Sequence, residues 1–224
     1  MLKAQLGQKA PLLSVSDWVQ GDPVNFDGLL GKVVLVEVFQ VNCPGCFLYA
    51  LPQAIRLHEQ YSPLGLSILG IATAFEDFDK NNLENLVSLI NHGEVIGETQ
   101  RLLSQQGLLA NNKLPYRIPF PVAMDKLNKR HDQRLQDDTD ALIKDQIPNF
   151  KLLPESQQLR IRQQVESYLL SLDYRAETFE RYDLKGTPSH ILVDREGLLN
   201  SISFGEEPAL QSRIEALLVN GNKL

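Results

Sequence analysis

The only two cysteines of this 224-residue chain stand three positions apart in "VNCPGCFLYALP" (41–52), with Pro44 and Gly45 between them. Two cysteines placed at random would fall at that spacing in about one such chain in a hundred, so the spacing carries information. A Cys-x-x-Cys pair is a redox dithiol, half of a metal site, or two buried small apolar side chains. Zinc normally takes four protein ligands. No second Cys-x-x-Cys exists, and His58, His92, His131 and His190 are scattered without pair spacing. The redox reading has an argument of its own. At a helix start the unpaired backbone N–H groups and the dipole favour an anion, so a cysteine there ionises near neutral pH. Such sites lower a thiol pKa from about 8.5 to as low as about 3.5. The thiolate of Cys43 would attack a disulfide, and Cys46, one turn on and less exposed, would resolve the product.

The flanking elements must supply that helix start. "KVVLVEVFQ" (32–40) is a near-continuous apolar run of strand length ending at the cysteines, the pattern of a strand buried on both faces. In "CFLYALPQAIRLHEQY", Phe47, Leu51, Ala54, Ile55 and His58 recur at helical spacing, and Pro52 inside the pattern predicts a kink or an early break. "LSILGIAT" (66–73) predicts a second buried strand, so 32–73 reads as a β-α-β unit with a right-handed crossover.

Residues 79–108 read as helix, with Leu83, Leu86, Val87 and Ile90 on one stripe, a break at Gly93 and Thr99 as cap of a second segment. "FPVAMD" (120–125) is a strand candidate. Residues 127–172 are polar and charge-rich, with Leu135, Leu142, Ile143 and Ile147 on one helical face and Pro154 placed to start a second helix. They are expected to form a helical hairpin. "ETFERYDLKG" reads as a short helix, "SHILVD" and "LNSISFG" as strands joined at "REG", and "PALQSRIEALLV" (208–219) as a closing amphipathic helix. The expected fold class is α/β: a central mixed sheet flanked by helices, one domain over 1–224 with an all-helical insertion at approximately 127–172.

A hydrophobic content of 43% and a charged content of 22% are those of a soluble globular protein. The net charge of −6 argues against nucleic acid or an anionic membrane surface as partner. One pair of cysteines makes no disulfide framework, so the fold must rest on its core. The first residues lack an uninterrupted apolar h-region and a cleavage site, and no run is long enough to span a bilayer. A cytoplasmic location is expected, or a periplasmic one if an export signal has been trimmed away.

Together, "GKVVLVEVFQVNCPGC", "FPVAMD" and "KGTPSHILVDREGLL" resemble the thioredoxin fold, most closely the thiol-disulfide oxidoreductases of the TlpA and redoxin type. The resemblance covers roughly 5–75, 118–126 and 176–219. It implies a thioredoxin-like sheet and a disulfide reductase activity with Cys43 and Cys46 as catalytic thiols. It implies no cofactor and no metal. The expected partners are a disulfide-bearing client protein or small thiol, and a reducing partner such as glutathione or a thioredoxin reductase-like protein. It places Thr187-Pro188 as the family's cis-proline loop beside the dithiol, binding the substrate peptide. It also makes Glu37, six residues before Cys43, the buried acid that takes a proton from Cys46, with glutamate where aspartate is usual. The bland alternative for Glu37 is a solvent-facing strand edge, and for His190 a structural histidine. Asn42 stands where relatives carry tryptophan, and the one tryptophan, Trp18, is far away in sequence. Two other functions stay open. "CPGC" also resembles the peroxiredoxin pattern, which would make Cys46 a peroxide-reactive thiol, although Phe39 stands where that pattern has proline. A non-catalytic binding module would keep the same fold.

Overall fold

In the computed structural model, which describes residues 3–129 and 135–220, the run before the cysteines is strand β2 (Val33–Phe39), buried along its whole length. Its side chains alternate between two faces. Val34, Val36 and Val38 join Leu69, Ile71, Ala123, Ile191 and Val193 in one apolar core, which Leu13, Phe26, Leu29, Tyr182 and Leu184 complete. Each such aliphatic side chain contributes about 1.5–3 kcal/mol on burial, which fixes the position of the strand that carries the site. Val33, Leu35, Glu37 and Phe39 point to the opposite face.

β2 lies inside a six-stranded sheet of order β1-β4-β3-β2-β7-β8, where β1 is Val15–Gln20, β3 Leu66–Ala72, β4 Val122–Asp125, β7 Ser189–Val193 and β8 Leu199–Phe204. β3 runs parallel to β2 and β4 parallel to β3, while β1, β7 and β8 are antiparallel to their neighbours. This is a central mixed sheet, as the sequence predicts. The edge strand β1 is an addition, paired with β4 and carrying Trp18 partly buried against the core.

Helix α1 spans Leu51–Tyr61 and is preceded by a π turn at Cys46–Ala50, with the first helical residues at Pro44 and Gly45. The wide turn answers the kink expected at Pro52. Proline offers no N–H to the carbonyl four residues back and its ring would collide with it, so the preceding turn opens. The Leu51 N–H accordingly reaches the Cys46 carbonyl, five residues back.

Two helices follow β3: α2 (Leu83–His92), capped by the Asn82 side chain, and α3 (Gly97–Gln105). Gly93 ends α2 at φ +71, in the left-handed region that favours glycine. Thr99 is not a cap. It is buried in the first turn of α3, where its hydroxyl donates to the Val41 carbonyl at 2.9 Å. Two further α-helices are α6 (Glu177–Arg181) and α7 (Leu210–Asn220). No helix among the described residues is long and apolar enough to cross a membrane.

The chain divides into two compact units, Met1–Lys126 with Ala176–Leu224, and Leu127–Arg175. The second contains α4 (Leu135–Gln146) and α5 (Glu155–Ser171), with Pro154 as N-cap of α5 and an Arg162–Asp140 ion pair at 2.6 Å between the helices. It is not wholly helical. Three-residue strands β5 (Leu127–Lys129) and β6 (Tyr174–Ala176) form a two-stranded ribbon, too short to leave a periodic signal in the sequence. His131 lies outside the described residues.

Within the first unit, the points where the chain leaves and returns are clasped by a buried carboxylate. Asp125, with no exposure, accepts from the Thr178 N–H at 2.8 Å, the Phe179 N–H at 3.1 Å and the Thr73 hydroxyl at 2.8 Å. Burial outweighs these donors and raises its pKa from the ordinary 3.8 to about 6. The folded chain therefore holds this proton more tightly than the unfolded chain. The group stabilises the fold fully below its unfolded pKa, and the contribution is lost as pH rises through about 6. The change corresponds to on the order of 3 kcal/mol. Asp125→Asn removes the titration and adds a pH-independent offset from mismatched donors. Denaturant titrations at pH 4 and pH 7 are expected to show the variant gaining on the wild type by that order at the higher pH. A pH-independent difference would contradict the assignment.

Candidate active site

Strand β2 delivers the chain to Cys43 at the lip of the sheet, and helix begins at Pro44. Cys43 thus occupies the N-cap position. The Cys46 N–H donates to the Cys43 carbonyl at 3.0 Å and points at the Cys43 Sγ at 3.3 Å, the contact an N-cap side chain makes with the third residue of a helix. Pro44 has no N–H to add. The two sulfurs are joined as a disulfide, with Cα atoms 5.4 Å apart. Their exposure differs in the way exchange chemistry requires: Cys43 keeps 9% of its surface open and Cys46 none.

The Thr187-Pro188 bond is cis, and this loop lies against the dithiol. The Thr187 carbonyl oxygen is 3.5 Å from Cys43 Sγ, and a Cβ placed on Gly45 would stand 3.8 Å from Pro188 Cδ. Thr187 is half-buried, and its hydroxyl donates to Gln40 Oε1 at 3.1 Å. The buried Gln40, three residues after Glu37 and three before Cys43, thereby ties the loop to the dithiol segment.

Asn42 does structural work that no tryptophan could. Its N–H donates to Asn81 Oδ1 at 2.8 Å, its amide donates to Asp77 at 2.7 Å, and its Oδ1 accepts from the Glu98 N–H at 2.7 Å. Gly97, at φ +55, leaves room for this. A Cβ there would lie 2.3 Å from Asn42 Oδ1. The residue before Cys43 is therefore pinned to the loop after β3 and to the start of α3. Phe39 and Phe47 pack edge to face with centroids 6.3 Å apart and are buried core, as their positions beside the motif suggest.

Glu37 is central and has no exposure, which removes the strand-edge alternative. The antiparallel register of β2 and β7 sets it opposite His190, and their side chains meet, Nδ1 to Oε2 at 2.7 Å. The other ring nitrogen of His190 donates to the Gly205 carbonyl at 3.0 Å. Burial raises the pKa of Glu37, partly offset by the hydrogen bond and charge of His190. For His190, burial works downward, but the bond to Glu37 and its charge prevail, with smaller help from the Gly205 carbonyl and Glu207, and the net direction is up. Sequence reasoning left His190 as a structural residue. The available signal was its place two residues after Pro188, on a strand able to pair with the one carrying Glu37.

An N-capping, partly open sulfur, a buried second sulfur and a cis-proline loop at contact distance make a constellation suited to disulfide exchange. Solved structures carry the same architecture. A thiol-disulfide isomerase from Corynebacterium glutamicum aligns over 93% of this chain and 96% of its own, at 27% identity and TM-score 0.55. A thioredoxin-like superfamily protein aligns over 94% and 96%, at 22% identity and TM-score 0.57. A thioredoxin-like protein solved in its oxidised form aligns over 96% and 97%, at 12% identity and TM-score 0.52. The chain is a thioredoxin-fold protein. Within that fold its likeness is to the thiol-disulfide oxidoreductases, in line with the Cys-x-x-Cys disulfide. No family model matches the chain. Among curated proteins, Protein FixW of Rhizobium leguminosarum is 36% identical over 72 residues, 32% of this chain. The match spans 31% of FixW, so less than a third of that relative is represented. Among the described residues, no group of three or more histidine, cysteine or acidic side chains is placed to hold a metal ion.

Proposed function

We propose that this thioredoxin-fold protein reduces disulfides in client proteins or small molecules by dithiol exchange. The observation that carries the proposal is Cys43, N-capping the helix with its sulfur 3.5 Å from the Thr187 carbonyl. In the reduced protein, the Cys43 thiolate attacks one sulfur of a client R–S–S–R′, forming a Cys43–S–S–R mixed disulfide and expelling R′S⁻, which takes up a proton. Cys46 then gives its proton to Glu37, and its thiolate attacks Cys43 Sγ. The Cys43–Cys46 disulfide forms and RS⁻ leaves. Two electrons pass from the dithiol to the client. The Thr187-Pro188 loop supplies backbone for the client chain to lie against. A further turnover needs a reductant, for which a thioredoxin reductase-like protein or glutathione has the right chemistry.

Glu37 suits the acceptor role because its second oxygen, Oε1, has no hydrogen-bond partner among the described residues. A peroxidase acting through Cys46 would require that sulfur to meet peroxide, and its complete burial favours the resolving role instead. The test is rapid mixing of the reduced protein with one equivalent of 5,5′-dithiobis(2-nitrobenzoate), which releases a coloured thiolate at each exchange. The expected result is about two equivalents of thiolate in two phases, attack by Cys43 and then resolution by Cys46. No release across neutral pH, or a single phase of one equivalent, would overturn the proposal.

A further inference from the structure

Beyond the thiols and the acid, the structure contains a second titratable group that the exchange steps above leave unused. His190 is 1% exposed, on a strand facing Glu37, and is bonded at both ring nitrogens. A carbonyl oxygen only accepts, so Nε2 carries a hydrogen and donates to Gly205. That leaves a single proton between Nδ1 and Glu37 Oε2. Either an imidazolium donates to a carboxylate, or a carboxylic acid donates to a neutral ring. Both arrangements hold Glu37 by Oε2, and among the described residues Oε1 has no hydrogen-bond partner.

We propose that His190 is the positioning residue of the resolving step, holding Oε2 of Glu37 and setting how readily the carboxylate takes the proton of Cys46. This rests on the proposed exchange reaction and on Glu37 as its acceptor. The pair arises from the register Glu37↔His190, flanked on β2 and β7 by Val36↔Ile191 and Val38↔Ser189. The neighbours give it little other charge to answer to. Across from Glu37 on β3 stands Gly70, and across from His190 on β8 stands Ser203. One further titratable group, Glu207, acts on His190.

The physical consequence has a definite sign. A cationic or donating imidazole at 2.7 Å favours the ionised carboxylate, so removing the ionisable ring leaves the desolvation of the buried Glu37 less opposed. Glu37 then stays protonated to a higher pH and is a poorer acceptor at neutrality. His190→Asn keeps an amide able to donate to Oε2 but removes the ionisable ring. In the two-phase release assay, the rising limb of the second phase is expected to move up by about one pH unit or more, slowing resolution about tenfold at pH 7. The first phase, attack by Cys43, is expected to change less than about twofold. Glu37→Gln should abolish the same limb in either background, making the double variant no slower than Glu37→Gln alone.

A histidine with only a packing role would lower stability and leave the limb in place, and an unmoved limb with both phases intact overturns the inference while sparing the exchange reaction. Failure of both phases in the wild type overturns the exchange reaction itself. A measurement on the wild type guards against a variant that does not fold. Nitrogen NMR of the His190 ring is expected to show Nε2 protonated throughout pH 5–9 and Nδ1 shifting when the disulfide is reduced. A ring that titrates like a free imidazole and ignores reduction would overturn the inference without any substitution.

Discussion

Replacing Cys43 with serine is expected to reduce thiolate release from the aromatic disulfide to background, whereas Cys46→Ser releases about one equivalent at near-normal rate and stops. The asymmetry follows from position. Only Cys43 is open to a visitor, and only its sulfur receives the Cys46 N–H at the helix start. Serine at 43 offers a hydroxyl that is not ionised at neutral pH, so the first bond never forms. Serine at 46 leaves that bond to form but removes the thiol that would break it. Mass spectrometry of Cys46→Ser should therefore find the thionitrobenzoate adduct on Cys43, and, in a cell extract, mixed disulfides with clients at the same residue. A peroxidase centred on Cys46 would show the opposite pattern: reactivity surviving Cys43→Ser and lost in Cys46→Ser.

Much of this site could be read from the order of residues, and the exceptions have physical causes. Strands β2, β3, β4 and β7 announce themselves because a strand buried on both faces leaves a near-continuous apolar run. β1 does not, since an edge strand with Ser16, Asp17 and Gln20 needs little hydrophobicity. The depth of Glu37 was legible from its apolar neighbours. Its partnership with His190 was not, because it depends on how two strands some 150 residues apart align. Asn42 stood out as a departure from the family pattern, but its partners Asp77, Asn81 and Glu98 come from the loop after β3 and from the start of α3. Thr99 had the right residue type for a cap and instead bonds the Val41 carbonyl, a tertiary contact overriding a local preference. Asp125 looked like the polar end of a strand. Only the folded chain reveals the Thr73, Thr178 and Phe179 donors gathered around it.

The chemistry of the site depends most on the sulfur at the helix start being held as an anion. In the reduced protein, the first turn of the helix and the Cys46 N–H are expected to stabilise the Cys43 thiolate, while the fully buried Cys46 is expected to stay protonated at neutral pH. The absence of an N–H at Pro44 moderates the effect without cancelling it. Alkylation of Cys46→Ser by iodoacetamide, followed from pH 4 to 10, reports the ionisation of Cys43 alone. The account predicts a single transition at least about one unit below the free-thiol value of about 8.5. A transition at or above that value would contradict it.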